Sequence, residues 1–402
     1  MKSGIRPVLL AASVLLASCK GSDASALMMQ LMAPPPQVSV SSGDWTSVQI
    51  ADGARVFVEG RFNGEASHLM IDSGAAMTTV DRAFAERIGL KPGMSIPVSG
   101  SGGQGQANLA GGVTLEVGGL KLERMTVLIT DLSAINARIG RPIEVILGRE
   151  AFERAIVDLD TPNSRVAFRQ REGFQPPEGA TRIPLVRSGG GQRSIAISIE
   201  GRPEIEAHFD FGNGAALFLR PAYWRENAML EGRRSSMTMS GGVGGINQVP
   251  IATLNTVTVG GITLREVPAT FYSVAAEDGT AANIGFGILG RFRLITDYAG
   301  DALYLFPDAA AAAAPFRKDR SGVLVAPAGE RQRVLMIAPG SPAATGGVWA
   351  VGDEIVAVDG APLAPNAAAS PNYRWGARPA GTTVTLTLAD GSTRQVVLAD
   401  YF

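Results

Sequence analysis

The sequence predicts a mainly β protein made of two similar lobes followed by a smaller C-terminal unit. Three observations carry this reading. Forty-nine glycines and 24 prolines punctuate short Val/Ile/Leu runs, the composition of strands joined by frequent turns. The stretch 45–307 repeats itself at a spacing of roughly 140 residues, the mark of a duplicated structural unit. An Ala-rich stretch, 308–320, then separates the repeat from a region with its own strand–helix–strand pattern. A chain of 402 residues is long enough for two or three cores. Only 18% of residues are charged and the formal net charge is −1, which removes the electrostatic footprint of a nucleic-acid partner.

At the N-terminus, Lys2 and Arg6 precede an apolar run over 8–17 and small residues before Cys19. Residues 1–18 read as an export signal, too short in the apolar stretch for a membrane span. Cys19 is the only cysteine, so an intrachain disulfide is excluded. Residues 19–44 contain Pro34-Pro35-Pro36 and little periodicity, as expected of a tether, with 27–32 its one apolar patch.

The two lobes are read as 45–175 and 176–307. LMIDSGAA in the first lies over AHFDFGNGAA in the second, pairing Asp72 with Asp210. The stretch 98–122 lies over 239–263, with Gly118-Gly119 over Gly260-Gly261. Ile146-Leu147-Gly148-Arg149 is set over Ile288-Leu289-Gly290-Arg291. The connector 308–320 is open to two readings, a short helix or a solvated linker, and a cut near Pro315 is expected to cross few packed contacts. Residues 321–402 form the last unit, with a Ser-Pro helix start at 341–342, a Gly-Asp turn at 352–353 and an alternating strand ending in Asp359-Gly360.

The chemistry is expected where Leu69-Met70-Ile71 runs straight into Asp72-Ser73-Gly74. A carboxylate at the end of a buried strand is costly unless it is paired, hydrogen-bonded or used. Gly100-Ser101-Gly102-Gly103-Gln104-Gly105 matches G-x-G-x-x-G, but strand alternation rather than a helix follows it, which excludes a dinucleotide loop. It reads instead as the tip of a hairpin able to close over a cleft, with Gly102 and Gly103 at the turn and Gly244 and Gly245 as the second lobe's version. His68 and His208 do not cluster with further ligands, so no metal and no organic cofactor is implied.

Asp-Ser-Gly-Ala after an apolar strand, followed by Ile-Leu-Gly, resembles the lobe signature of retropepsin-like and pepsin-like aspartic proteases over about 45–307. The resemblance implies a two-lobed β-barrel fold with Asp72 and Asp210 as a catalytic dyad sharing one proton. It implies Ser73 bracing the loop across the lobes, Gly74 and Gly212 supporting the carboxylates, and Gly148 and Gly290 packed behind them. The second lobe departs from the pattern: Phe211 stands where a hydroxyl is expected, and Asn213 is the candidate for a substitute hydrogen bond. Two functions follow, an endopeptidase acting on envelope peptides or proteins, or a binding or adaptor protein that keeps the fold without cutting. PGSPAATGG followed by VGDEIVAVDG resembles a PDZ domain of bacterial envelope proteases, implying a peptide ligand added beside a strand edge. Leu16-Ala17-Ser18-Cys19 resembles a lipoprotein lipobox, implying lipidation at Cys19, membrane attachment through that lipid and, with Lys20 next, an outer-membrane address facing the periplasm.

Overall fold

The computed structural model describes residues 35–402 apart from 42, 52–53, 274–278 and 365–370. The export segment, Cys19 and the 27–32 cluster lie outside the described residues.

The first lobe is a nine-stranded sheet whose middle runs Leu120–Thr130, Thr79–Asp81, Val145–Leu147, Glu65–Ile71, Arg55–Phe62 and Gly103–Val117. Val145–Leu147 lies parallel to Glu65–Ile71, with Leu147 opposite Ile71, and antiparallel to Thr79–Asp81. Parallel strands covered on both faces read as unbroken apolar runs rather than alternations. This is why Leu69, Met70 and Ile71 are all buried and why the chain meets its first polar group only at Asp72.

The second lobe, an eight-stranded sheet, repeats the neighbour order with Ile262–Phe271, Leu217–Leu219, Ala282–Gly285, Ile205–Asp210, Arg193–Ile199 and Gly245–Val259. A third sheet joins the lobes. At its centre Ile156–Asp160 from one half pairs antiparallel with Arg293–Asp297 from the other, Val157 opposite Thr296. One hydrophobic core therefore runs through both lobes, which fixes their mutual orientation and the site between them.

The register corrects one equivalence. Ile284 and Gly285 lie opposite Phe209 and Asp210, the place that Leu147 and Gly148 hold beside Ile71 and Asp72. Ile288-Leu289-Gly290 falls instead at the end of the short helix Phe286–Leu289, with Gly290 as its C-cap. Sequence identity drew the alignment to the second Ile-Leu-Gly, but hydrogen-bond register decides which glycine backs the site.

The connector is also not a free linker. Asp308 caps the helix Ala309–Ala313. Phe316 is buried against the main core, and the Arg291 guanidinium lies 3.7 Å from its ring centre. The C-terminal sheet, ordered Val323–Ala328, Arg331–Ile337, Glu354–Val358, Thr383–Leu388 and Thr393–Val397, has its own core around Trp375, Val384 and Leu386. A second cluster, Met336, Ala338, Tyr401 and Phe402, packs against Met237, Met239 and Ile251 of the second lobe. Ser236 Oγ donates to the Pro339 carbonyl (2.6 Å) and Thr253 Oγ1 to that of Phe402 (3.1 Å). A cut near Pro315 would thus expose apolar surface rather than separate independent bodies.

Candidate active site between the lobes

Each lobe delivers one Asp on a tight loop. Asp72 Oδ1 accepts from the backbone N–H groups of Gly74 (2.8 Å) and Ala75 (3.0 Å). Asp210 Oδ1 accepts in the same way from Gly212 (2.8 Å) and Asn213 (3.1 Å). The loops face one another, and each carboxylate rests on the glycine of the other loop. A methyl group on Gly74 would lie 2.5 Å from Asp210 Oδ1, and one on Gly212 would collide with all three carboxyl atoms of Asp72. Glycine is required at both positions because the carboxylates approach where a side chain would project.

Ser73 crosses between the lobes. Its hydroxyl donates to the Phe209 carbonyl (3.2 Å) and accepts from Phe211 N–H (2.9 Å). The return bond is missing because Phe211 carries no hydroxyl. Its ring is fully buried, with the rings of Phe209, Phe152 and Phe286 centred 4.9, 6.1 and 6.4 Å away. One loop is thus held by a hydrogen bond across the interface, the other by an aromatic cluster behind it.

The support beneath the two carboxylates differs as well. Asn283 Nδ2 donates to Asp210 Oδ2 (2.8 Å), while Asn213 Nδ2 holds Asn283 Oδ1 (2.7 Å) and Asn213 Oδ1 accepts from Ala215 N–H (2.9 Å). Asn213 therefore acts through Asn283. Asp72 accepts from two backbone donors and shares a side-chain hydrogen bond with Asp210. Loss of water around the Asp72 carboxyl, and then the charge of Asp210 beside it, push it up from 3.8 to about 8.

Gly148 closes the back of the first loop, where a Cβ would lie 2.6 Å from Thr78 N. In the second lobe Gly285 does this work against Asn213 and Ala215, whereas the atoms nearest a Cβ on Gly290 are those of the Phe286 ring and carbonyl. Glu150, two residues on from Gly148, is half-buried and accepts from Thr78 N (2.9 Å) and Oγ1 (3.1 Å); desolvation raises it to about 7.

The two glycine-rich hairpins, Ser95–Gly100 with Gly103–Val117 and Ser235–Gly242 with Gly245–Val259, meet at their tips. Gly102 N–H donates to the Val243 carbonyl (3.0 Å), and Asn247 Nδ2 donates to that of Gly102 (3.1 Å). Gly103 and Gly245 hold φ of 137° and 130°, backbone that favours glycine. Val243 reaches across to the cluster around Phe57 and Met70, beside Ala75 of the Asp72 loop and Ile135. The tips thus bridge the lobes next to the two Asp loops.

Sequence reasoning did not single out Asn283, Glu150 or Arg55. Asn283 left a signal as the one polar residue in Ala282-Asn283-Ile284-Gly285, and Glu150 as an acid directly after Gly148-Arg149. His68 pairs with Glu59 at 2.7 Å, and among the described residues no group of three or more His, Cys, Asp or Glu is arranged to hold a metal ion.

Two loops of this kind, each with an Asp resting on the other's glycine under bridging hairpins, define a site of the aspartic-protease type. Residues 58–151 match the family described as Aspartyl protease. The match covers the first lobe from before Asp72 to just past Gly148. No curated protein matches the chain.

Proposed function

We propose that the protein is an aspartic endopeptidase in which Asp72 and Asp210 share one proton. The observation that carries this reading is the close facing of the two carboxylates, each lying against the glycine of the opposite loop. Two carboxyls this close cannot both ionise. Asp210, with three donors including Asn283, is the better place for the negative charge, and Asp72 for the proton. Asp210 then acts as base on a water that attacks the scissile carbonyl, and Asp72 donates its proton to the carbonyl oxygen. The bridged hairpin tips cover an extended peptide and must open to admit it.

The rest of the chain fits a protease of the cell envelope. The C-terminal unit is read as a PDZ-type module whose edge strand Val323–Ala328 takes a peptide ligand. Cys19 is read as the lipidated residue that holds the protein at the outer membrane, facing the periplasm. Incubating the soluble protein with a fluorogenic peptide library across pH tests the enzyme reading. Turnover should vanish in Asp72→Asn and in Asp210→Asn, and retention in either variant would overturn the dyad. Loss of lipid labelling and membrane retention in Cys19→Ser tests the anchor.

A further inference from the structure

We infer that Arg55 and Arg138 form a cationic subsite beside the dyad, so that the protein takes peptides bearing a carboxylate next to the scissile bond. This deepens the endopeptidase reading and rests on it for the turnover measurements. Arg55 opens the strand Arg55–Phe62 of the first lobe and reaches across to the second. Its Nη1 lies 3.0 Å from where a Cβ on Gly214 would stand, in the loop that begins with Asp210. It faces both Asp72 and Asp210, but a dyad that shares one proton offers a single negative charge. Arg138, on the helix Ser133–Ile139, lies close enough to repel Arg55. It donates to the Met239 carbonyl of the second lobe's hairpin (2.8 Å).

Symmetry makes the point sharper. Arg193 stands as far before Asp210 as Arg55 does before Asp72. Arg193 is occupied, donating to the carbonyls of Gly191 (3.1 Å) and Tyr298 (3.2 Å) and lying 3.7 Å from Asp301. Among the described residues no carboxylate forms an ion pair with Arg55 or Arg138. Two half-buried guanidiniums that repel one another, with the single negative charge of the dyad beside them, are stabilised by an incoming carboxylate, which supplies a second negative charge where water is excluded. A Glu or Asp side chain, or the terminal carboxylate of a short peptide, supplies the same chemistry.

The test uses matched peptides: an amidated set with Glu replaced by Gln at each position around the cut, and a Gln set with a free C-terminus. The wild type should favour a carboxylate at one position by about tenfold or more in kcat/KM. Glu-over-Gln preference within the amidated set assigns it to the side chain; preference for a free terminus assigns it to the chain end. Arg55→Gln should bring the ratio toward one, Arg55→Lys should keep most of it, and Arg55→Glu should invert it in favour of Lys. Arg138→Gln, an independent arm, should lower it several-fold. A wild type indifferent to the carboxylate, or an Arg55→Gln variant altered only in its pH profile, overturns the subsite. If no peptide is cut, binding to the Asp72→Asn protein decides separately. A carboxylate preference lost on adding Arg55→Gln keeps the subsite while the endopeptidase reading falls, and no preference sinks the subsite.

Discussion

At Asp72, burial and a neighbouring carboxylate combine to hold a proton, and this makes the pH behaviour of the protein predictable in sign. In the fold the carboxyl keeps its proton up to about 8, whereas in the unfolded chain it is lost near 3.8. The unfolded state therefore gains relative stability as pH rises between these values, and the loss is complete above the folded value. Asp72→Asn removes a group that opposes folding through that ionisation. Its melting temperature should match the wild type near pH 4 and exceed it increasingly toward pH 8. A gap that is constant with pH would show that Asp72 does not carry the proton. The activity profile should follow the same group, with kcat/KM falling as pH passes about 8 because the acid form of Asp72 is lost. Titration belongs to the pair, so Asp210→Asn, which removes the charge that helps raise Asp72, should abolish turnover and weaken the pH dependence of the melting temperature.

At the scale of loops and strands, the two halves of the site are held by different physics. Removing the Ser73 hydroxyl strands the buried Phe211 N–H and the Phe209 carbonyl, at a cost of about 1–3 kcal/mol. Ser73→Ala should lower stability by that amount and depress kcat more than KM, since the loop that carries Asp210 is no longer tied to its partner. Phe211→Thr would restore a hydroxyl where the second lobe lacks one, but it empties a fully buried aromatic site. By analogy with other large-to-small core changes the loss should be about 3 kcal/mol or more, so chemical denaturation must be measured beside activity. At the hairpin tips, a side chain on Gly102 would run into the Gly245 backbone. Gly102→Val should therefore leave the melting temperature within about 2 °C of the wild type, the change being confined to an exposed tip, while kcat/KM drops through loss of the closed arrangement. Equal loss of stability and activity would mean that the tips serve the fold rather than the cleft.

For the whole molecule, the C-terminal unit is integral to the structure. Met336, Ala338, Tyr401 and Phe402 share a buried cluster with Met237, Met239 and Ile251, and the last three belong to the second lobe's long hairpin. A chain ending at Pro315 should be poorly soluble, or melt well below the full protein, because that apolar surface turns to water. Replacing Met237 and Ile251 by Thr and Gln in the truncated chain should recover solubility, whereas a truncated protein as soluble and stable as the full chain would show the contact to be dispensable. The same contact places the third unit against the hairpin whose tip bridges the lobes.

Residue order alone was enough to predict a β-rich chain, its internal duplication, the pairing of Asp72 with Asp210 and the glycines of the hairpin tips. The strand interrupted by a carboxylate and the turn that only glycine makes are local signals, readable from steric and solvation rules, while the duplication and the Asp pairing show as a repeat of the sequence itself. Three features were decided only in three dimensions. Gly285 rather than Gly290 backs the second loop because strand register, set by hydrogen bonds to Ile205–Asp210, outweighs the repeated Ile-Leu-Gly. Asn283 lies far from Asp210 in the chain and meets it only because parallel pairing brings the strands side by side. Arg55 and Arg193 occupy like positions in sequence, yet one is bound within its lobe and the other turns toward the facing lobe. The reason is common to all three: partners distant in sequence are chosen by packing, and packing is a property of the whole fold.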